Sequence, residues 1–222
     1  MKCDPTVSLP LRTTWSLLVS VAMVFAAVEA RADAYDDFNR AVAADDARSV
    51  SRMIGRGMDP NTANEQGEAA LLAAAREGSL AMVKALIEGK ANLNLRSAHG
   101  DTPIMLAALA GNLPTVKVLR EAGAQINHPG WTPLQYAAVN GHNAVIDYLV
   151  STGADLGLAA PNGATPVMLA VLANKTDTVK LLISNGFDLN GRNDKGESAL
   201  EIARQKGFGD MEKLLRSAGA KG

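Results

Sequence analysis

The chain has 222 residues, 47% hydrophobic but only 4% aromatic, a balance of alanine, leucine and valine that suits close-packed helices and argues against a β-sandwich. A formal net charge of −1, with no run of like charge, excludes an electrostatic case for nucleic acid. No GxxxxGK[ST] loop, CxxC pair or HExxH helix occurs, so the commonest short chemical signatures are excluded too.

Residues 13–28, TTWSLLVSVAMVFAAV, are uncharged and apolar, and Lys2 and Arg12 precede them. Ala30-Arg31-Ala32 then places small residues at signal-peptidase spacing, so cleavage is expected between Ala32 and Asp33. A basic start, a short apolar middle and an A-x-A end are the parts of a secretory signal peptide. Residues 1–32 are therefore read as a leader and 33–222 as the mature chain, with the periplasm as its expected location. The alternative is an uncut leader that anchors the chain to the inner membrane, facing the periplasm. Against it, an apolar run of about 16 residues is shorter than the roughly 20 a spanning helix needs. Cys3 is the only cysteine and lies in the leader, away from the cut that a lipoprotein would make. A mature chain without thiols suits an oxidising compartment. Losing Lys2, Arg12 and Arg31 together with Asp4 and Glu29 leaves the mature part at −2.

Residues 34–66 predict a helix pair. Phe38, Ala41 and Val42 share one apolar face, and Val50, Met53 and Ile54 share the next. Asp59 and Asn61 then match Asn92 and Asn94 one unit later. From Gly67 the pattern repeats over 67–99, 100–129, 130–162 and 163–195, and 196–222 follows it with losses. Three stretches align closely: GDTPIMLAALAGN from Gly100, GWTPLQYAAVNGH from Gly130 and GATPVMLAVLANK from Gly163. The starting glycines recur at about 33 residues, with one shorter interval.

The chemistry of one unit explains the recurrence. Thr132 can cap a helix while Pro133 fills its first turn, where no intrahelical N–H bond is lost. Leu134, Ala137 and Ala138 form an apolar stripe whose alanines let neighbouring helices approach closely. Gly141 ends that helix. NAVIDYLVST is a second helix presenting Val145, Ile146, Leu149 and Val150, and Gly153 stops it. Thr102-Pro103 and Thr165-Pro166 repeat the start. The first and last units are more polar, with Glu201, Arg204, Gln205, Lys206, Glu212 and Lys213 expected to be exposed in the last. A one-dimensional stack needs such polar ends, so four internal units lie between two caps.

On these residues the chain resembles the ankyrin-repeat family, over nearly all of 34–222. The resemblance implies an all-α solenoid of about six helix-turn-helix units with β-hairpin-like finger loops. It also implies a monomeric, non-enzymatic protein-binding module with no cofactor and no metal, in contact with membrane only if the leader stays uncut. One departure stands out. The family's Thr-Pro-Leu-His histidine, which ties neighbouring loops, is replaced by Leu72, Met105, Gln135, Met168 and Glu201, and looser loops are expected.

The chain's three histidines need weighing. His142 follows a helix-ending glycine where the family favours a structural histidine; Ser79, Asn112, Lys175 and Phe208 hold that place in other units. His128 lies in the one shortened finger, HPGW against NLRSAHG and NGRNDKG elsewhere. Trp131 beside it has two readings: it folds over the short finger and repairs the packing, or it anchors a partner. His99, His128 and Asp101 are the only candidates for a metal site or an enzyme, on loops without short ligand spacing.

The family binds through fingertips and the exposed ends of first helices. Carried over position by position, the candidate partner-binding residues are His99, Asp101 and Trp131 on fingers. On helices they are Arg76, Glu77, Leu109, Ala110, Val139, Asn140, Leu172 and Ala173. The centre of this set is apolar and its flanks are polar, which is the anatomy of a protein interface. Alanine- and leucine-rich repeats would produce part of that pattern without a partner. Exported bacterial members that the chain resembles include some linked to peroxide resistance through a periplasmic catalase, so support of such an enzyme is one expectation. The alternative is an inhibitor or immunity protein that blocks the active site of a toxin or enzyme in the periplasm.

Overall fold

The computed structural model describes residues 31–221. Six helix pairs follow one another: α1 (31–43) with α2 (Ala47–Gly55), α3 (Ala70–Glu77) with α4 (Leu80–Glu88), and α5 (Pro103–Leu109) with α6 (Leu113–Glu121). Then come α7 (Pro133–Asn140) with α8 (Asn143–Ser151), α9 (Pro166–Leu172) with α10 (Thr176–Ser184), and α11 (Ala199–Gln205) with α12 (Gly209–Ser217). Among the described residues there is no strand, only one antiparallel bridge between Ala63 and Ala69. None of their helices is long and apolar enough to cross a membrane. The apolar run of the leader lies outside the described residues. The expected cut falls between Ala32 and Asp33, both exposed and helical.

From α3 onward, each odd helix packs on its odd neighbours and on its own even partner. The reason is a column of alanines. Ala41, Ala74, Ala107, Ala137, Ala170 and Ala203 occupy equivalent places and are all buried. With only a methyl group at each contact, the helix axes can lie close. Larger side chains fill the flanks: Leu71, Ile104, Leu134, Val167 and Leu200 on the odd helices, and Leu86, Leu119, Leu149, Leu182 and Leu215 on the even ones, none more than 2% exposed. One apolar core therefore runs the length of the stack, and no pair could bury its face alone.

The Thr and Ser starts of the odd helices follow the cap chemistry except at Thr102. Thr132 Oγ1 accepts the Gln135 N–H while Gln135 Oε1 accepts the Thr132 N–H at 2.9 Å. Ser198 and Glu201 pair in the same way at α11, and Thr165 Oγ1 accepts the Met168 N–H at α9. The Thr102 hydroxyl, in contrast, is buried without a partner, and the Thr102 N–H points to Met105 Sδ at 3.1 Å. The expected loosening of loops by loss of the family histidine is not what is found at α7. Gln135 also donates to Leu158 O at 3.0 Å, one unit on, so an amide ties the two loops.

Four fingers are hairpin-like. Asn64, Ser97, Ala160 and Asn193 each donate an N–H to the carbonyl four residues ahead, and the glycine three ahead donates back. Those glycines, 67, 100, 163 and 196, all have positive φ, which closes the tip. The finger after Asn127 is the short one. Pro103 and Pro133 open helices 30 residues apart, against 33 from Pro133 to Pro166.

Asparagines stitch the units together. Asn61, Asn94, Asn127 and Asn190 each accept, through Oδ1, a backbone N–H of the next unit: Asn92, Gln125, Asp155 and Lys221, at 2.7–3.0 Å. Gly157 occupies the remaining equivalent place and breaks the ladder toward Asp188. A Cβ there would meet only Asp155 Oδ1, at 3.4 Å, and its φ is not positive. Gly157→Asn should therefore restore the rung and reduce unfolded-chain freedom. The expected gain is about 1–2 kcal/mol, read as a rise in melting temperature.

Candidate partner-binding groove

The candidate residues fall at the C-terminal ends of the odd helices and on the fingers, and the Arg76–Glu68 pair brings one such end against a finger. Along the helix ends, Arg76, Leu109, Val139, Leu172 and Gln205 occupy equivalent places. Leu109 is 37% exposed and Leu172 43%, and among the described residues they are the exposed large hydrophobic side chains. Val139 and Asn140 sit half-buried in the unit between them. Ala110 is exposed and Ala173 half-buried. The apolar centre expected from the repeat register is thus present at the surface.

Its flanks are polar. Arg76 and Glu77 are exposed at the N-terminal side. Arg76 holds Glu68 with two bonds of 2.5 and 2.9 Å and lies 3.6 Å from Glu77. This pair braces a finger against the end of α3, and with such exposure it contributes at most about 1 kcal/mol. Gln205 and Lys206 are exposed at the other side.

The finger residues differ from a row of free tips. His99 is exposed. Asp101 is half-buried and engaged: its Oδ1 accepts the Tyr136 hydroxyl at 2.5 Å, from the following unit. Burial first, and then the Asp101 carboxylate, push the Tyr136 phenol well above its ordinary pKa, so the phenol stays protonated and keeps donating. Trp131 is also half-buried. Its ring lies tilted on Tyr136, with centroids 5.1 Å apart and planes at 30°. Of the two readings of Trp131, the packing one describes its surroundings: where the finger is shortened, the indole leans on Tyr136 and the core. Asp101, Tyr136 and Trp131 thus join two units.

The histidines divide in the same manner. His142 Nε2 lies 3.0 Å from Leu109 O, so this ring ties its unit to the preceding one. Asn112 does likewise at the same place, its Nδ2 donating to Gly78 O at 3.2 Å. His128 is half-buried, with Nδ1 3.2 Å from Pro129 O and a buried, unpartnered Nε2. Among the described residues no three His, Cys, Asp or Glu side chains converge so that they could hold a metal ion. His99, His128 and Asp101 are therefore not gathered into one site.

Sequence reasoning missed a depression at the N-terminal end of the same face. A cleft of about 620 Å³ opens between α1, the 64–68 finger and α3, lined by Asn39, Val42, Asn64, Ala73 and Glu77 among others. Its cause is a register position. Where Ala73 stands, later units carry Leu106, Tyr136, Leu169 and Ile202, so a smaller side chain lines the cleft here. Aligning the units by this one position would have found it.

A family model described as ankyrin repeats (3 copies) matches residues 38–129, 100–160 and 152–222. No curated protein matches the chain.

Proposed function

The chain belongs to the ankyrin-repeat family, a protein–protein interaction scaffold, and from that premise we propose that it is exported and binds a protein partner in the periplasm through the groove. It does so without catalysis of its own. The observation that supports this most is the placement of Leu109 and Leu172. Two large apolar side chains left open on one line, two units apart, with charged flanks, suit an interface centre.

The test is binding by a variant carrying both Leu109→Asp and Leu172→Asp. Each side chain is already partly in water, so melting should change little. Affinity for the captured partner should fall by about a hundredfold or more, as expected when central apolar contacts are replaced by charge. Unchanged affinity would contradict the proposal. The first partner to try is a periplasmic catalase, on the resemblance to exported family members. Location is a separate measurement: N-terminal sequencing of the purified protein should begin at Asp33. A chain that begins at residue 1 and fractionates with membranes would replace export by tethering.

A further inference from the structure

The N-terminal cleft has a chemistry different from the apolar centre of the groove. Its floor is methyl and methylene surface, from Val42, Ala70, Ala73 and Ala74. Its rim carries the carboxylates of Asp45, Glu68 and Glu77 and the amides of Asn39 and Asn64, and among the described residues no lysine or arginine lines it. The adjoining cations are Arg76, bonded to Glu68 and Glu77, and Arg40, paired with Asp37 beside Asn39. Asp45 accepts the Ser79 hydroxyl. Four carboxylates, Asp37 included, against two guanidiniums leave this end of the groove negative. Its depth comes from the missing side chain at position 73, so the shape and the charge have separate origins in the sequence.

A flexible aliphatic stem that ends in a positive charge matches both features. Such a side chain buries its methylenes on an apolar floor and keeps its head among anions and water. We infer that this cleft receives a lysine or arginine side chain of the protein partner, on a segment that continues along the groove to Leu109 and Leu172. The inference rests on the groove being the binding face, and it adds what the partner must carry there: a basic residue at one end of an apolar stretch. Attraction by the acidic rim also makes association weaken as salt is raised, since the rim is within reach of mobile ions.

The probes are three short peptides, acetyl-Gly-Lys-Gly-amide, its arginine counterpart and its norleucine counterpart, titrated into 15N-labelled protein. Norleucine keeps the lysine stem and removes the charge. The lysine and arginine peptides should shift the amide signals of Asn39, Asn64 and Ala73 in a saturable way, and the norleucine peptide should not. Ala73→Leu, which installs the residue found at Leu106 and Leu169, should abolish the shifts while the protein melts as before. Glu77→Gln, an exposed change, should weaken binding several-fold. Equal shifts from the norleucine peptide, or lysine binding that survives Ala73→Leu, would overturn the inference, as would no saturable shift from either cation. If the cationic peptides fail while the Leu109/Leu172 variant still loses the partner, only this inference falls. If that variant keeps the partner, the groove reading itself falls.

Discussion

Removing residues 196–222 should lower the stability of the remaining stack by about 3–6 kcal/mol. The last unit shows why. Arg204 and Glu212 occupy the places that hold Val171 and Val179 one unit earlier, and they face outward as an ion pair at 3.2 Å, with Arg216 bonded to the same carboxylate. Hydrogen bonds from these two arginines hold the Glu212 carboxyl below its ordinary pKa of 4.5. Val171 and Val179 are fully buried in the intact chain. Cutting after residue 195 turns them into the outer face, at about 1.5–3 kcal/mol for each side chain uncovered. The Asn190 to Lys221 bond is lost as well. Melting of the shortened chain beside the full one checks this. A shortened chain that melts at the same temperature would contradict the nearest-neighbour stack.

Gly111→Ala should cost about 1.5–3.5 kcal/mol, while Gly153→Ala should cost only about 1–2. Both glycines have positive φ, 71° and 94°, where an L side chain is strained by roughly 1–2 kcal/mol. They differ in their surroundings. A Cβ on Gly153 meets nothing within 4 Å, whereas one on Gly111 would lie 2.5–2.8 Å from three atoms of the His142 ring. The ring would have to leave, and its contact with Leu109 O would go with it, a further loss of about 0.5–1.5 kcal/mol. Chemical denaturation of both variants and of His142→Ala gives the comparison. Equal losses at Gly111 and Gly153 would show that His142 does not hold the units together.

Much of this was legible from spacing. The alanine column, the Thr-Pro starts, the shortened finger and the polar last unit are all properties of register, and register repeats in the sequence. Leu109 and Leu172 could be placed at the surface for the same reason. What was not legible involves contacts between units whose partners are not at repeating positions. Asp101 looks like a free finger carboxylate until Tyr136, 35 residues on, is seen to donate to it. Trp131 left packing and anchoring both open, and its contact with the Tyr136 ring is not at a repeating position. Gln135 reads as the loss of a family histidine, yet its amide both accepts from the cap and donates to the next loop. Matching by residue identity hides that equivalence of function. The cleft at Ala73 was hidden for the opposite reason: small residues read as good packing, and an alanine where later units carry large side chains makes a hole.

A photo-crosslinking residue substituted at Leu172, and in parallel at Lys180 on α10, tests the binding face most directly in living cells. Both places are exposed, and they lie on the inner and outer helices of one unit. The groove account predicts that one protein is captured from position 172, that adding Leu109→Asp abolishes this capture, and that position 180 captures none of it. Capture of the same protein from position 180 alone, or equal capture from both, would contradict it.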